Sequence, residues 1–168
     1  SQIDLDPQAT ADTRLRDLTG AQGEGVRLSS IQVSVNGTPV AIDLSDAGTL
    51  DDVLTRINDA ISSVDPAAGG VALNGSAIDL TANAGHTIAI SEIGSGQTAT
   101  DLGINGAVTG ATFAGTDLDP KLTKLTDLAA LGATIDWASG LSISHGPKTK
   151  VADFSAATNI QDLQNVIE

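Results

Sequence analysis

The chain has 168 residues, enough for one or two small domains, and it carries a formal net charge of −13. This charge argues against DNA or RNA binding, which needs clustered Lys and Arg, and against binding to anionic membrane surfaces. There is no Cys and no Met, so neither a disulfide framework nor a thiol catalyst is expected, and the missing initiator Met suggests a fragment or a processed chain.

The first predicted elements are a hairpin and a helix. In "SIQVSVNGTPVAIDLS" two alternating apolar runs flank Asn36-Gly37, which is a strong signal for a two-residue hairpin turn. A helix is predicted to begin after Thr49, with Asp52 close to a capping box, and Pro66 enforces its end. An exposed pair of Asp52 and Arg56 is expected on this helix. Its apolar stripe comprises Leu50, Val53, Leu54, Ile57, Ile61 and Val64.

Three more strands complete the predicted unit. "GVALNGSAIDLTA" reads as a second hairpin around Asn74-Gly75, "HTIAISEI" as a fifth strand, and "TATDLGI" as a short closing turn. The order β-β-α-β-β-β predicts the α+β class, with a small and mainly antiparallel sheet, one amphipathic helix per repeat and a β-grasp-like outline.

An internal repeat is visible at an offset of 110 residues. "LRDL" at 15–18 recurs as "LTDL" at 125–128, and "DLS" at 43–45 recurs as "DFS" at 153–155. "DLDP" recurs at 4–7 and 117–120, an offset of 113, so a deletion of three residues separates it from the rest. The predicted organisation is a lead-in over 1–25 that is also the tail of a preceding repeat, a complete repeat over 26–104, a linker over 105–120, and the first half of a second repeat over 121–168. We expect this half repeat to be held by the first unit, by the N-terminal segment or by another copy, with the N-terminal segment favoured.

Few residues suggest chemistry. "GSGQTA" at 94–99 matches G-x-G-x-x-A, but no long helix follows and no acidic residue lies at the required spacing, so a Gly-rich turn is expected rather than a dinucleotide site. His86 and His145 lack partners at metal-ligand spacing and are expected in loops.

Several other side chains allow a structural interpretation as well as a functional one. Four acidic residues offer oxygen ligands for Ca²⁺, although no EF-hand pattern surrounds them and solvated turns are the expected role: Asp4, Asp6, Asp117 and Asp119. Asn36 and Asn74 match the N-glycosylation acceptor, yet both are explained as hairpin residues. Trp137 is expected as a core residue at the start of a strand, with sugar stacking as the alternative.

The complete repeat resembles the flagellin hook IN motif. That motif has a strand pair, then T-hydrophobic-x-D-hydrophobic-hydrophobic-x-x-I-N, then strands and a closing LGI. "LRDLTGAQGEGV" is similar to the lead-in of the same proteins, whereas "LAALGATID" of the second copy lacks the G-x-G. The matching positions here are Thr49, Leu50, Asp52, Val53, Leu54, Ile57, Asn58, Leu102, Gly103 and Ile104.

The resemblance implies a structural role in the bacterial flagellum. It implies an extracellular, surface-facing middle module of a hook-associated protein or a flagellin, whose partners are other subunits of the filament or the hook–filament junction. No catalytic, cofactor-binding or metal-binding residue is implied, and the chain on its own is expected to be soluble and monomeric or weakly associating. The alternative is an adhesin or glycan-binding repeat of a secreted bacterial surface protein.

Overall fold

The structure is a computed structural model that describes residues 7–131 and 135–168. The chain divides into two compact units. The larger unit is Ala9–Lys121, and the smaller unit joins Ser1–Gln8 to Leu122–Glu168. Among the described residues, no helix has the length and apolar character needed to cross a membrane.

The larger unit contains most of the regular structure. A short 3-10 helix at Leu15–Asp17 comes first. The other elements are β1 (Ser30–Val35), β2 (Thr38–Asp43), α1 (Leu50–Val64), β3 (Gly69–Asn74), β4 (Ala77–Ala82), β5 (Thr87–Glu92), α2 (Thr98–Asp101), β6 (Gly106–Thr109) and β7 (Thr112–Phe113). All strand pairs are antiparallel, which confirms the α+β class. The strands form two sheets rather than the single sheet expected, in the orders β2-β1-β5-β6 and β3-β4-β7.

The two hairpins differ in how well the sequence predicted their turns. Asn36 and Gly37 both have positive φ, 51° and 86°, as a type I′ turn between β1 and β2 requires. In the second hairpin Asn74 pairs with Ala77 as a strand residue, so the turn consists of Gly75 and Ser76. The Asn-Gly signal therefore placed the second turn one residue too early, because Gly75 takes the first central position instead of the second.

Helix α1 follows the predicted pattern except for one ion pair. Thr49 and Asp52 form a complete capping box, in which each side chain accepts a hydrogen bond from the other residue's backbone N–H. The predicted pair of Asp52 with Arg56 is wrong: the Arg56 guanidinium instead donates to the Asp46 carboxylate and to the backbone oxygen of Asp43. The Asp52 carboxylate is already occupied by the N–H groups of Gly48 and Thr49.

The core of the larger unit lies between α1 and the inner faces of the sheets. Its largest fully buried side chains are Leu15, Leu18, Ile31, Leu44, Leu50, Ile57, Ile61, Ile78, Leu80, Ile88, Ile90 and Leu102. The stretch 105–120, expected as a linker, contains β6 and β7 and the buried Leu118. The Gly-, Thr- and Ala-rich composition of 105–120 suits short edge strands as well as linkers. The segment before β1 also contributes to this core, through Leu15 and Leu18.

The smaller unit is built from a hairpin and one helix. Two 3-10 helices, Leu128–Ala130 and Trp137–Ser139, precede β8 (Leu141–His145), β9 (Lys148–Ala152) and α3 (Ile160–Ile167). Helix α3 begins with a capping box of Asn159 and Asp162. The buried residues described here are Pro7, Leu128, Leu131, Ala152 and Phe154, and every residue of β8 is exposed.

The same pattern of backbone hydrogen bonds occurs within each of the two units. In the larger unit the N–H of Leu50 donates to Thr13 O at 3.0 Å, and in the smaller unit the N–H of Ile160 donates to Thr126 O at 3.2 Å. Thr126 therefore corresponds to Thr13, an offset of 113, while Ile160 corresponds to Leu50, an offset of 110. The match of "LRDL" with "LTDL" is consequently wrong and its counterpart is "LAAL" at 128–131: Leu128 is buried, whereas Leu125 is 76% exposed.

Each unit is also closed by a proline from a "DLDP" sequence. Leu18 forms an isolated antiparallel bridge with Pro120, and Leu131 forms the equivalent bridge with Pro7. The N–H of Gln8 donates to Ala130 O at 2.7 Å, as the N–H of Lys121 donates to Asp17 O at 2.7 Å. The N-terminal segment therefore contributes to the half repeat, as expected, through Pro7 and Gln8.

Candidate functional site

The G-x-G-x-x-A stretch at 94–99 links β5 to α2. Helix α2 has four residues, its N-cap residue Gln97 makes no side-chain cap bond, and the neighbouring sheet is antiparallel. Dinucleotide binding at this sequence needs a longer helix after a strand of a parallel sheet. The glycines therefore serve a turn, as the sequence predicted.

Thr98 connects this turn to the chain that enters β1. Its hydroxyl accepts a hydrogen bond from the Ser29 N–H at 2.7 Å and donates to the backbone oxygen of Arg27 at 2.7 Å. The side chain of Thr98 is fully buried. Buried hydroxyls are normally satisfied in this way, so these bonds explain the residue without a ligand.

Asp101 makes a second connection to the same segment. It is fully buried, and both of its carboxylate oxygens accept hydrogen bonds from the Arg27 guanidinium, from Nε at 2.9 Å and from Nη2 at 2.7 Å. The guanidinium and the backbone N–H of Arg27 lower the pKa of the Asp101 carboxyl. The sequence did not indicate this pair, because 74 residues separate its members.

Glu92 completes the polar cluster around this turn. Its Oε1 accepts from the Thr100 N–H at 2.7 Å, and its Oε2 is buried without a hydrogen-bond partner. A Cβ added at Gly96 would lie 2.7 Å from Ser29 Oγ and 3.1 Å from Glu92 Oε2. The space beside the carboxylate is therefore filled by the turn itself, and the cluster holds α2 against the strands.

His86 lies in the turn before β5, in contact with two other turns. Its Nδ1 is 3.1 Å from Oδ2 of Asp65, and Nδ2 of Asn36 donates to the same oxygen at 3.1 Å. In the described part of the chain, no serine or threonine hydroxyl bonds to His86, so no nucleophile is placed beside it.

The two glycosylation candidates, Asn36 and Asn74, both donate hydrogen bonds from their side-chain amides, Asn36 to Asp65 at 3.1 Å and Asn74 to Asp79 at 2.7 Å. His145 is exposed at the end of β8.

The acidic residues considered as Ca²⁺ ligands do not come together. Asp117 accepts from the Asp119 N–H at 2.8 Å, which makes a local turn, and Asp119 has a positive φ of 44°. Asp4 and Asp6 lie outside the described residues. Within 7–131 and 135–168, no group of three or more His, Cys, Asp or Glu residues is placed to hold a metal ion.

The smaller unit contains an open cleft of about 460 Å³. Trp137 lines this cleft and is half-buried. Its burial is intermediate between that of a core residue and that of an exposed sugar-stacking residue, the two roles considered for it. The apolar part of the lining comprises Leu128, Ala129, Leu131, Ile135 and Ala157.

The corresponding residues of the larger unit are inside its core. Leu15 and Leu18 correspond to Leu128 and Leu131 and are buried. Trp137 lies four residues before the first residue of β8, as Arg27 lies four residues before Ile31. In the larger unit Arg27 holds Asp101 of α2, whereas the described part of the smaller unit has no counterpart of β3 to α2.

No family model, no curated protein and no solved structure matches this chain.

Proposed function

We propose that this chain is a structural module of a bacterial flagellar axial protein, a hook-associated protein or a flagellin. In this role it lies in the outward-facing middle region and performs no catalysis. Its partners are other subunits of the filament or of the hook–filament junction, and its location is extracellular. The proposal starts from the resemblance of the repeat to the flagellin hook IN motif.

The observation that carries this proposal is the reuse of one set of backbone bonds in two units. Leu50 bonds to Thr13 and Ile160 bonds to Thr126 in the same way, and each unit is closed by a proline of a "DLDP" sequence. A unit that recurs along the chain suits an axial protein that displays several copies of one module on its surface.

The polar clusters of the larger unit support the same role. Asp101, Thr98 and Asp65 bond to residues on other loops or turns, and these bonds fix the loops. Rigid loops suit a module that must keep its shape outside the cell.

Immunogold electron microscopy on intact cells of the source bacterium tests this function. Antiserum raised against the chain is expected to label flagellar filaments or their junction with the hook. A strain unable to export flagellar proteins is the matched control and is expected to lose this label. Label on the cell body that persists in this strain would overturn the proposal.

The cleft beside Trp137 favours a second candidate, a glycan-binding surface module. An indole offers a flat apolar face on which a sugar ring can stack, and Trp137 is half-buried in the lining of an open cleft of about 460 Å³. A glycan array probed with the chain and with Trp137→Ala separates the candidates. Glycan binding that disappears in the variant supports an adhesin role, and an empty array removes this alternative.

A further inference from the structure

The larger unit contains three Asn-Gly sequences, at 36–37, 74–75 and 105–106. Asn followed by Gly is prone to spontaneous deamidation, because Gly has no side chain to hinder attack by its backbone nitrogen on the amide carbon of Asn. A fold prevents this reaction when it engages that nitrogen in a hydrogen bond or holds the Asn side chain away from it. The three sequences differ in both respects.

At Asn105 the attacking nitrogen is engaged in a sheet. Gly106 pairs with Ile90 of β5 in an antiparallel ladder. The N–H of Gly110 donates to His86 O at 3.1 Å, at the other end of the same ladder. Because alternate residues of a strand face the same neighbour, the N–H of Gly106 donates to Ile90 O. This nitrogen is therefore held in the sheet and is not free to attack.

At Asn36 the side chain is held away from the attacking nitrogen. Its Oδ1 accepts from the Thr87 N–H at 3.0 Å, and its Nδ2 donates to Asp65 at 3.1 Å. Asn36 also has a positive φ of 51°. A left-handed residue has ψ near about +47°, which places its side chain and the next backbone nitrogen on opposite sides of the Cα–C bond. Both hydrogen bonds and the turn must break before the nitrogen of Gly37 can react.

Asn74 has neither form of protection. It is an exposed residue at the end of β3, and Gly75 begins the turn. Among the described residues, no acceptor bonds to the Gly75 N–H and no donor bonds to Oδ1 of Asn74. The one side-chain bond of Asn74 runs from Nδ2 to Oδ2 of Asp79 at 2.7 Å. The turn is anchored instead through Ser76, whose backbone oxygen accepts from the Leu118 N–H at 2.9 Å.

We propose that Asn74 is a site of spontaneous covalent modification in the folded chain. The nitrogen of Gly75 attacks Cγ of Asn74, so that a new N–Cγ bond forms and the Cγ–Nδ2 bond breaks. The side-chain nitrogen leaves as ammonia and takes up the proton of the Gly75 N–H, and a succinimide ring remains. Water then opens the ring at either carbonyl, which gives Asp or isoaspartate at this position. No enzyme is needed, so the modified fraction increases with the age of the folded chain.

The product places a carboxylate where Asp79 now accepts a hydrogen bond. Nδ2 of Asn74 lies 2.7 Å from Oδ2 of Asp79, and a carboxylate oxygen takes the place of that donor. Two like charges this close repel each other. The other oxygen of Asp79 accepts from the Gly115 N–H at 3.0 Å. Deamidation is therefore expected to loosen both the β3–β4 hairpin and the attachment of the segment that follows β7.

Peptide mapping by mass spectrometry tests the site without any substitution. The folded chain is incubated in mildly alkaline buffer, and Asp and isoaspartate are quantified over time at each of the three Asn-Gly sequences. The same incubation in concentrated guanidinium chloride is the matched control, because it removes the fold and leaves the sequence unchanged.

In the folded chain, Asn74 is expected to react at least about tenfold faster than Asn36 and Asn105, whose engaged groups must first be released. In denaturant the three rates are expected to converge to within about threefold. A rate at Asn74 that is no faster than the other two in the folded chain overturns the proposal. A rate ratio that denaturant leaves unchanged also overturns it, because the sequence alone then sets the reactivity.

Thermal unfolding tests the expected effect of the product. Asn74→Asp is expected to lower the melting temperature of the larger unit by about 3–6 °C. Combining it with Asp79→Asn again places one donor opposite one carboxylate and keeps an oxygen for the Gly115 N–H, so most of the loss is expected to be recovered. A melting temperature that Asn74→Asp leaves unchanged, or a loss that the double variant does not recover, overturns the proposed repulsion from Asp79.

Discussion

Asp101 accepts three hydrogen bonds from Arg27, two from its guanidinium and one from its backbone N–H at 2.9 Å. Asp101 lies in α2, near the end of the repeat, and Arg27 lies just before β1. The pair therefore ties the two halves of the larger unit together. By the offset of 110, the residue of the smaller unit that corresponds to Arg27 is Trp137, whose indole cannot form such an ion pair.

Replacing Asp101 by Asn should destabilise the larger unit. The amide keeps the shape of the side chain, but its NH₂ group points donors at a guanidinium that also donates. The expected loss is about 1–3 kcal/mol in the free energy of unfolding from urea melts. Asp59→Asn, at an exposed position on α1, is the control and should change stability by less than about 0.5 kcal/mol. Similar losses in both variants would mean that the pair contributes nothing specific.

The same carboxyl should make stability depend on pH. Arg27 lowers the pKa of Asp101 in the folded chain. A lowered pKa stabilises the fold above the unfolded-state pKa of about 3.9, and this contribution is lost as pH falls through the folded-state pKa. The stability difference between the parent chain and Asp101→Asn should therefore be full at neutral pH and shrink below about pH 4. A difference that stays constant between neutral pH and about pH 2.5 would contradict this linkage.

The apolar face of α1 gives a third prediction. Ile57 is fully buried, so Ile57→Ala removes packed methyl groups and leaves a cavity. We expect a loss of about 2–4 kcal/mol in urea melts. Ser62→Ala on the exposed face of the same helix should change stability by less than about 0.5 kcal/mol. If the two variants melt alike, the face of α1 is assigned incorrectly.

Local signals predicted most of the secondary structure. The Thr49 cap, the Asn36-Gly37 turn and the alternating runs each depend on a few neighbouring residues, and each is present as expected. The division into two sheets was not predictable, because it depends on which distant strands pair. The strands at 106–113 were missed for a related reason: they are short edge strands whose partners, β5 and β4, lie elsewhere in the sequence.

The polar contacts were harder still to predict from the sequence. Arg56 was assigned to Asp52 because the two are four residues apart on a helix, yet its partner is Asp46 in the preceding turn. The capping box had already engaged Asp52, and spacing alone does not reveal this competition. The match of "LRDL" with "LTDL" failed because Leu125 and Leu128 have the same residue type and differ only in burial.

The closing of the smaller unit by the N-terminal segment gives the last prediction. Pro7 bridges Leu131, and the Gln8 N–H bonds to Ala130 O, as Pro120 and Lys121 do for Leu18 and Asp17. Deleting residues 1–8 should therefore lower the melting temperature of the smaller unit and leave the larger unit unchanged. Trp137 is the only Trp of the chain and lies in the smaller unit, so its fluorescence reports on that unit, while amide exchange in β1 and α1 reports on the larger one. Gln8→Ala is the control for changes at this terminus: it removes an exposed side chain, keeps the backbone N–H that bonds to Ala130 O, and should leave both readouts unchanged. A deletion that leaves the Trp137 transition at its original temperature would show that the half repeat is stable without the proline bridge.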